Sequence, residues 1–71
     1  MPTKIHTETA GSIWKLYVAK GDTVEEGQEL MIMEVMKMEV PYEAPIAGTV
    51  TALHIAEGDV VEEDQLAMEI G

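Results

Sequence analysis

The chain repeats itself. Residues 10–28 align without a gap on residues 47–65, an offset of 37 positions that sets Ala10 on Ala47, and about half of the paired residues are identical. Gly11, Leu16, Gly21-Asp22 and Val24-Glu25-Glu26 recur as Gly48, Leu53, Gly58-Asp59 and Val61-Glu62-Glu63. Beyond Gln28 the alignment takes one deletion, which sets Leu30 and Ile32 against Leu66 and Met68. Self-similarity of this kind predicts two copies of one supersecondary unit. Two copies are too few to stack as a solenoid. The expectation is therefore one domain over residues 1–71 with internal pseudo-twofold symmetry.

Each copy reads as short strands. Gly21-Asp22, Gly27-Gln28 and Gly58-Asp59 punctuate the chain, and Pro41 and Pro45 interrupt it in the middle. Leu16/Val18 and Leu53/Ile55 alternate in both copies, and Leu66, Met68 and Ile70 alternate with Ala67 and Glu69, which is the period of a strand with one buried face. Ile13 and Val50 fall out of step with Leu16 and Leu53, and a β-bulge between them restores the phase. The expected core is Ile13, Leu16, Val18, Val24, Leu30, Ile32, Val50, Leu53, Ile55, Val61, Leu66, Met68 and Ile70. No segment carries a helical stripe. The fold class is all-β, a flattened barrel or sandwich of two sets of about four strands.

At 71 residues without cysteine, the core has to hold without disulfides or thiolate–metal bonds, near the lower limit of size for a stable domain. No apolar run approaches the roughly 20 residues that span a bilayer, and Met1-Pro2-Thr3-Lys4 reads as a native start with no signal peptide. The expected compartment is the cytoplasm. Fourteen acidic residues against four basic ones give a net charge of −10. That balance argues against nucleic-acid and anionic-membrane binding, which need clustered cations. The paired acids at Glu25-Glu26 and Glu62-Glu63-Asp64 recur with the repeat and read as a solvated, architectural skin.

Lys37 stands apart. It lies in Glu34-Val35-Met36-Lys37-Met38-Glu39, between the two copies, where the strand pattern places a hairpin tip. Tips favour Gly, Asn or Asp, and a lysine between two thioethers is poor turn chemistry. Shifting Lys37 by the repeat offset carries it off either end of the chain, so its loop is the symmetry counterpart of the termini. Met1 and Gly71 should then lie together at one end and Lys37 at the other. An exposed lysine amine is overwhelmingly protonated at neutral pH and makes a weak free nucleophile or base. Lys37 therefore reads as a substrate for an enzyme that brings an activated acyl group and helps remove the proton. Met36 and Met38 offer that enzyme soft apolar contacts, whereas mid-strand Met31 and Met33 read as interior filling.

These residues resemble a known family. Glu34-Val35-Met36-Lys37-Met38, with Gly21-Asp22, Gly27-Gln28, Ala44-Pro45 and Ala47-Gly48 around it, is similar to the biotinyl/lipoyl attachment domain, of the biotin carboxyl carrier type. In size the chain looks like the small stand-alone biotin/lipoyl attachment proteins. The resemblance implies a barrel-sandwich hybrid of two four-stranded antiparallel sheets with the modified lysine on an exposed hairpin. It implies biotin joined covalently to Lys37 by a biotin protein ligase, with Met36, Met38, Val35 and Glu34 as recognition residues. It further implies a monomeric, non-catalytic carrier that moves carboxyl between a biotin carboxylase and a carboxyltransferase. Lipoyl domains usually show Asp-Lys-Ala, so Met-Lys-Met favours biotin over lipoate. Val35 stands where many bacterial biotin carriers have Ala, and neither a thumb insertion nor an Ala/Pro-rich linker is present.

The remaining polar residues read as surface. Lys4 sits near the terminus, Lys15 in a strand, and Lys20 beside the Gly21-Asp22 turn without thioether neighbours. His6 and His54 lack metal-ligand spacing, and Ser12 and the threonines lack triad context. The functional readings are thus a biotin carrier, a lipoyl carrier of a 2-oxoacid dehydrogenase type of complex, or an unmodified interaction domain.

Overall fold

In a computed structural model that describes residues 2–71, all regular structure is β. The strands are β1 (Thr3–His6), β2 (Gly11–Leu16), β3 (Thr23–Val24), β4 (Glu29–Val35), β5 (Met38–Glu43), β6 (Gly48–Leu53), β7 (Val60–Val61) and β8 (Leu66–Ile70). They form two four-stranded antiparallel sheets, β1-β8-β6-β3 and β5-β4-β2-β7. Each sheet takes two strands from either half of the chain. The twofold is visible in this order, because β1, β8, β6 and β3 correspond one to one with β5, β4, β2 and β7.

The pairing register removes the expected deletion. Ile13↔Met33, Lys15↔Ile32 and Leu16↔Met31 in one sheet become Val50↔Ile70, Ala52↔Glu69 and Leu53↔Met68 in the other. Every one of these residues is displaced by 37 positions, so Leu30 corresponds to Ala67 and Ile32 to Glu69. The bulge expected before Leu16 and Leu53 is present in both copies, at Trp14 and at Thr51.

A second bulge pair explains where the sequence reading placed the core wrongly. Leu30 is an extra residue in the β4–β5 pairing, and Ala67 is its equivalent in β1–β8. A bulge lets two successive residues face inward, so Leu30 and Met31 are both buried, as are Ala67 and Met68. The phase then runs through Met33 and Ile70. Ile32 and Leu66 are only half-buried, and Leu16 and Leu53 pack against the core from its margin. Ile5 and Tyr42 complete the interior from two of the edge strands, β1 and β5. Pro41 does not end a strand. It lies within β5, whose outer edge pairs with nothing among the described residues and tolerates a missing N–H.

The turns are built alike in both copies. Asp22 Oδ2 accepts from the Ala19 N–H at 2.9 Å, and Asp59 Oδ2 does the same for Ala56 at 2.9 Å. Gln28 and Gln65 accept from the Glu25 and Glu62 N–H groups, each at 3.0 Å. These bonds give the recurring Asp22/Asp59 and Gln28/Gln65 side chains their architectural role, while the Glu25 and Glu62 carboxylates take no part in them. Pro2 lies against Gly71, while Met1, expected beside it, falls outside the described residues.

Candidate functional site

Strands β4 and β5 are joined by two residues only, Met36 and Lys37, closed by the Val35↔Met38 pair. Both central residues have positive φ, 52° and 66°. This is the φ signature of a type I′ turn, whose twist matches that of the flanking strands but which strongly favours Asn and Gly. A side chain in that region costs roughly 1–2 kcal/mol. Elsewhere the chain follows the rule: Gly21, Gly27 and Gly58 occupy positive φ, with Asp64 as the sole other exception among the described residues.

The strain presents Lys37. It is exposed, and no carboxylate among the described residues pairs with it. Met36 is 91% exposed and Met38 66%, so neither thioether fills the interior. By contrast Met31 and Met33 are fully buried. Val35 is half-buried and packs on the core, anchoring the turn from below. Glu34 and Glu39 face each other across β4–β5 and are exposed. The tip thus offers one cation on a flexible stem, two soft apolar flanks and two acids at its base.

Gly11 supports this tip, and sequence reasoning gave it no role. A Cβ on Gly11 would lie 2.6 Å from the Glu34 carbonyl oxygen and 3.0 Å from Val35 Cγ2. Only glycine lets β2 pass this close beneath the hairpin. Gly48 repeats the contact, 2.7 Å from the Gly71 carbonyl oxygen. The identity of Gly11 and Gly48 in the repeat was the signal that could have found them.

The other lysines lie elsewhere. Lys4 is exposed on β1, and Lys20 is exposed beside the Gly21 turn. Lys15 is exposed on β2 with its ammonium 5.3 Å from the Trp14 ring centroid, within cation–π range. His54 pairs with Glu69 at 3.4 Å. The described residues contain no cluster of metal-ligating side chains and no pocket.

A family model described as biotin-requiring enzyme matches residues 1–70. The chain belongs to that family. Among curated relatives it is 48% identical over 40 residues to the biotin/lipoyl attachment protein of Bacillus subtilis, covering 56% of this chain and 55% of that protein. It is 42% identical over 41 residues to the urea amidolyase of Saccharomyces cerevisiae, covering 58% of this chain and 2% of that enzyme. The chain therefore spans about half of the first relative and a small fraction of the second. Its fold superposes on the Kluyveromyces lactis urea carboxylase with a TM-score of 0.89 and 34% identity, covering 100% of this chain and 6% of that one. The proteins it is similar to thus include an attachment protein of which the match covers about half and enzymes of which it covers only a few per cent.

Proposed function

We propose that the chain is a biotin carboxyl carrier, with biotin held in amide linkage on Lys37. The observation that supports this most directly is the two-residue turn itself. A domain of the biotin-requiring family keeps Met and Lys at two positive-φ positions where Asn and Gly would cost less. Stability does not account for that choice, and presentation of the amine does.

The residues fit the group. The Lys37 amine is open to solvent and free of an ion pair among the described residues, so an enzyme can approach it from outside. A biotin protein ligase takes the proton from the Lys37 ammonium. The amine then attacks the acyl carbon of biotinyl-adenylate, the new C–N bond forms, and AMP leaves with the electrons of the broken C–O bond. Met36 and Met38 give the ligase apolar contact on both sides of the nitrogen, and Glu34 and Glu39 offer acceptors at its base. Bound biotin supplies a ureido nitrogen that takes carboxyl from bicarbonate at the expense of ATP and yields it to an acceptor. Val35 and Gly11 hold the stem's root in place while the stem swings between a biotin carboxylase and a carboxyltransferase, in the cytoplasm. In this reading the domain itself performs no chemistry.

Lipoate is the second reading, favoured by the dual name of the Bacillus subtilis relative. Coexpression with a biotin ligase and, separately, with a lipoate ligase decides between them by intact mass. The expected result is one biotin adduct in the wild type, none in Lys37→Arg, and a melting temperature within about 2 °C between the two, since Lys37 is exposed. A biotin adduct that persists in Lys37→Arg would refute the assignment.

A further inference from the structure

The twofold supplies an internal control for surface function, because every position of one sheet has a counterpart in the other. In the sheet that carries Lys37, the rows Lys15–Ile32–Pro41 and Val60–Ser12–Glu34–Glu39 alternate with the buried rows and so form its outer face. Trp14, the bulge residue, joins them through its contact with Lys15 and is 43% exposed. Val60 is 83% exposed. Displaced by 37 positions, Trp14, Tyr17, Ile32, Pro41 and Val60 become Thr51, His54, Glu69, Lys4 and Thr23. At each of these positions an aromatic or aliphatic residue faces a polar one. Where one sheet has the His54–Glu69 contact, the other has Tyr17 and Ile32. Folding cannot require the apolar set, since the same backbone is served by polar residues on the other side. Apart from Ile46, in the loop before β6, every large exposed hydrophobic among the described residues lies on this sheet, its hairpin or the residue following β2.

We propose that this face, Trp14, Tyr17, Ile32, Pro41 and Val60 framed by Glu34 and Glu39, seats the enzyme that loads carboxyl onto the arm, through an apolar patch ringed by lysine or arginine. The proposal rests on the carrier reading above. Three observations select this occupant. Ile32 lies three residues before the Val35↔Met38 pair that closes the turn, about 10 Å back along β4 at roughly 3.3 Å per residue. A ligase has to enclose the Met36-Lys37-Met38 turn, whereas an enzyme served by a long arm can rest behind it. An active site for bicarbonate and ATP handles anions and is ringed by cations, which the acidic rim complements. A second copy is disfavoured, because each carries a net charge of −10 and would set Glu34 and Glu39 against the same acids.

The test exchanges face residues for those the twofold itself supplies. Wild type, Trp14→Thr/Ile32→Glu and the opposite-sheet control Glu69→Gln are biotinylated by ligase and then offered to purified biotin carboxylase of the source organism with bicarbonate and ATP. The expected result is full labelling of all three, with the KM for Trp14→Thr/Ile32→Glu raised about tenfold at unchanged kcat. The KM of the control should stay at the wild-type value, and that of the wild type should rise with salt. Amide signals of Lys15, Ile32 and Glu34 should broaden when unmodified carrier meets the carboxylase, and those of Thr51 and Glu69 should not. Pro41→Lys/Val60→Thr repeats the test at the sheet edges if the first pair lowers the melting temperature. An unchanged KM, an equal loss in Glu69→Gln, or wild-type self-association through this face overturns the proposal. Absence of label on the wild type would instead remove the carrier reading, and the docking with it.

Discussion

The two ends of the twofold share a support and differ in how they finish. At one end Gly11 lets β2 pass under Glu34 and Val35; at the other Gly48 lets β6 pass under Ile70 and Gly71. The contacts are nearly superimposable, 2.6 Å and 2.7 Å to a carbonyl oxygen. Above Gly48 the strands are unconnected, with Pro2 beside Gly71. Above Gly11 they are joined by a turn whose two central residues sit in the left-handed region. The glycine support therefore belongs to the fold, and the strained turn belongs to what this one end does. The lesson is that internal symmetry separates architecture from function within a single chain, without any relative to compare.

Three experiments press on that distinction. The largest effect should come from the shared support. Gly11→Ala and Gly48→Ala should each lower unfolding free energy by about 1–3 kcal/mol through overpacking, read from urea melts. If only one of them is destabilising, the twofold equivalence of the supports fails. Next comes the unshared turn. Replacing Met36 by Asn and Lys37 by Gly should raise stability by about 1–2 kcal/mol, because both then suit positive φ, while all acylation is lost. A destabilised double variant would mean that the turn is shaped for folding after all. The smallest effect tests a strained position away from the tip. Asp64 has φ 61° where its counterpart Gly27 has 84°, so Asp64→Gly should gain about 0.5 kcal/mol with no change in labelling. A gain as large as that of the turn variant would remove the special standing of Met36 and Lys37.

Much of this was legible in the residues. The repeat implied the symmetry and a tip at Lys37, and the period-two phase implied a bulge between Ile13 and Leu16 and another between Val50 and Leu53, because such patterns are local signals. The second bulge was not legible. Leu30-Met31-Ile32-Met33 is apolar throughout, so nothing in it marks which residues face inward, and the phase is set by the extra residue at Leu30 opposite β5. The same ambiguity at Leu66-Ala67-Met68 invited a deletion that the pairing does not contain. Pro41 misled for a related reason, since its acceptability depends on β5 lying at a sheet edge, which is a property of strand order. At the tip, the local sequence pointed to Lys37, its thioethers and their poor fit to a turn, but the two positive φ angles and the close passage of Gly11 are visible only in three dimensions.

The interleaving of strands also bears on origins. Neither half of the chain can complete a sheet from its own strands, since both sheets draw equally on each. An isolated unit could satisfy its hydrogen bonds only by trading strands with a twin. Duplication and fusion of such a swapped pair would give this topology directly. It would also have left two identical ends, of which one became a crossing point between units and was free to acquire a lysine.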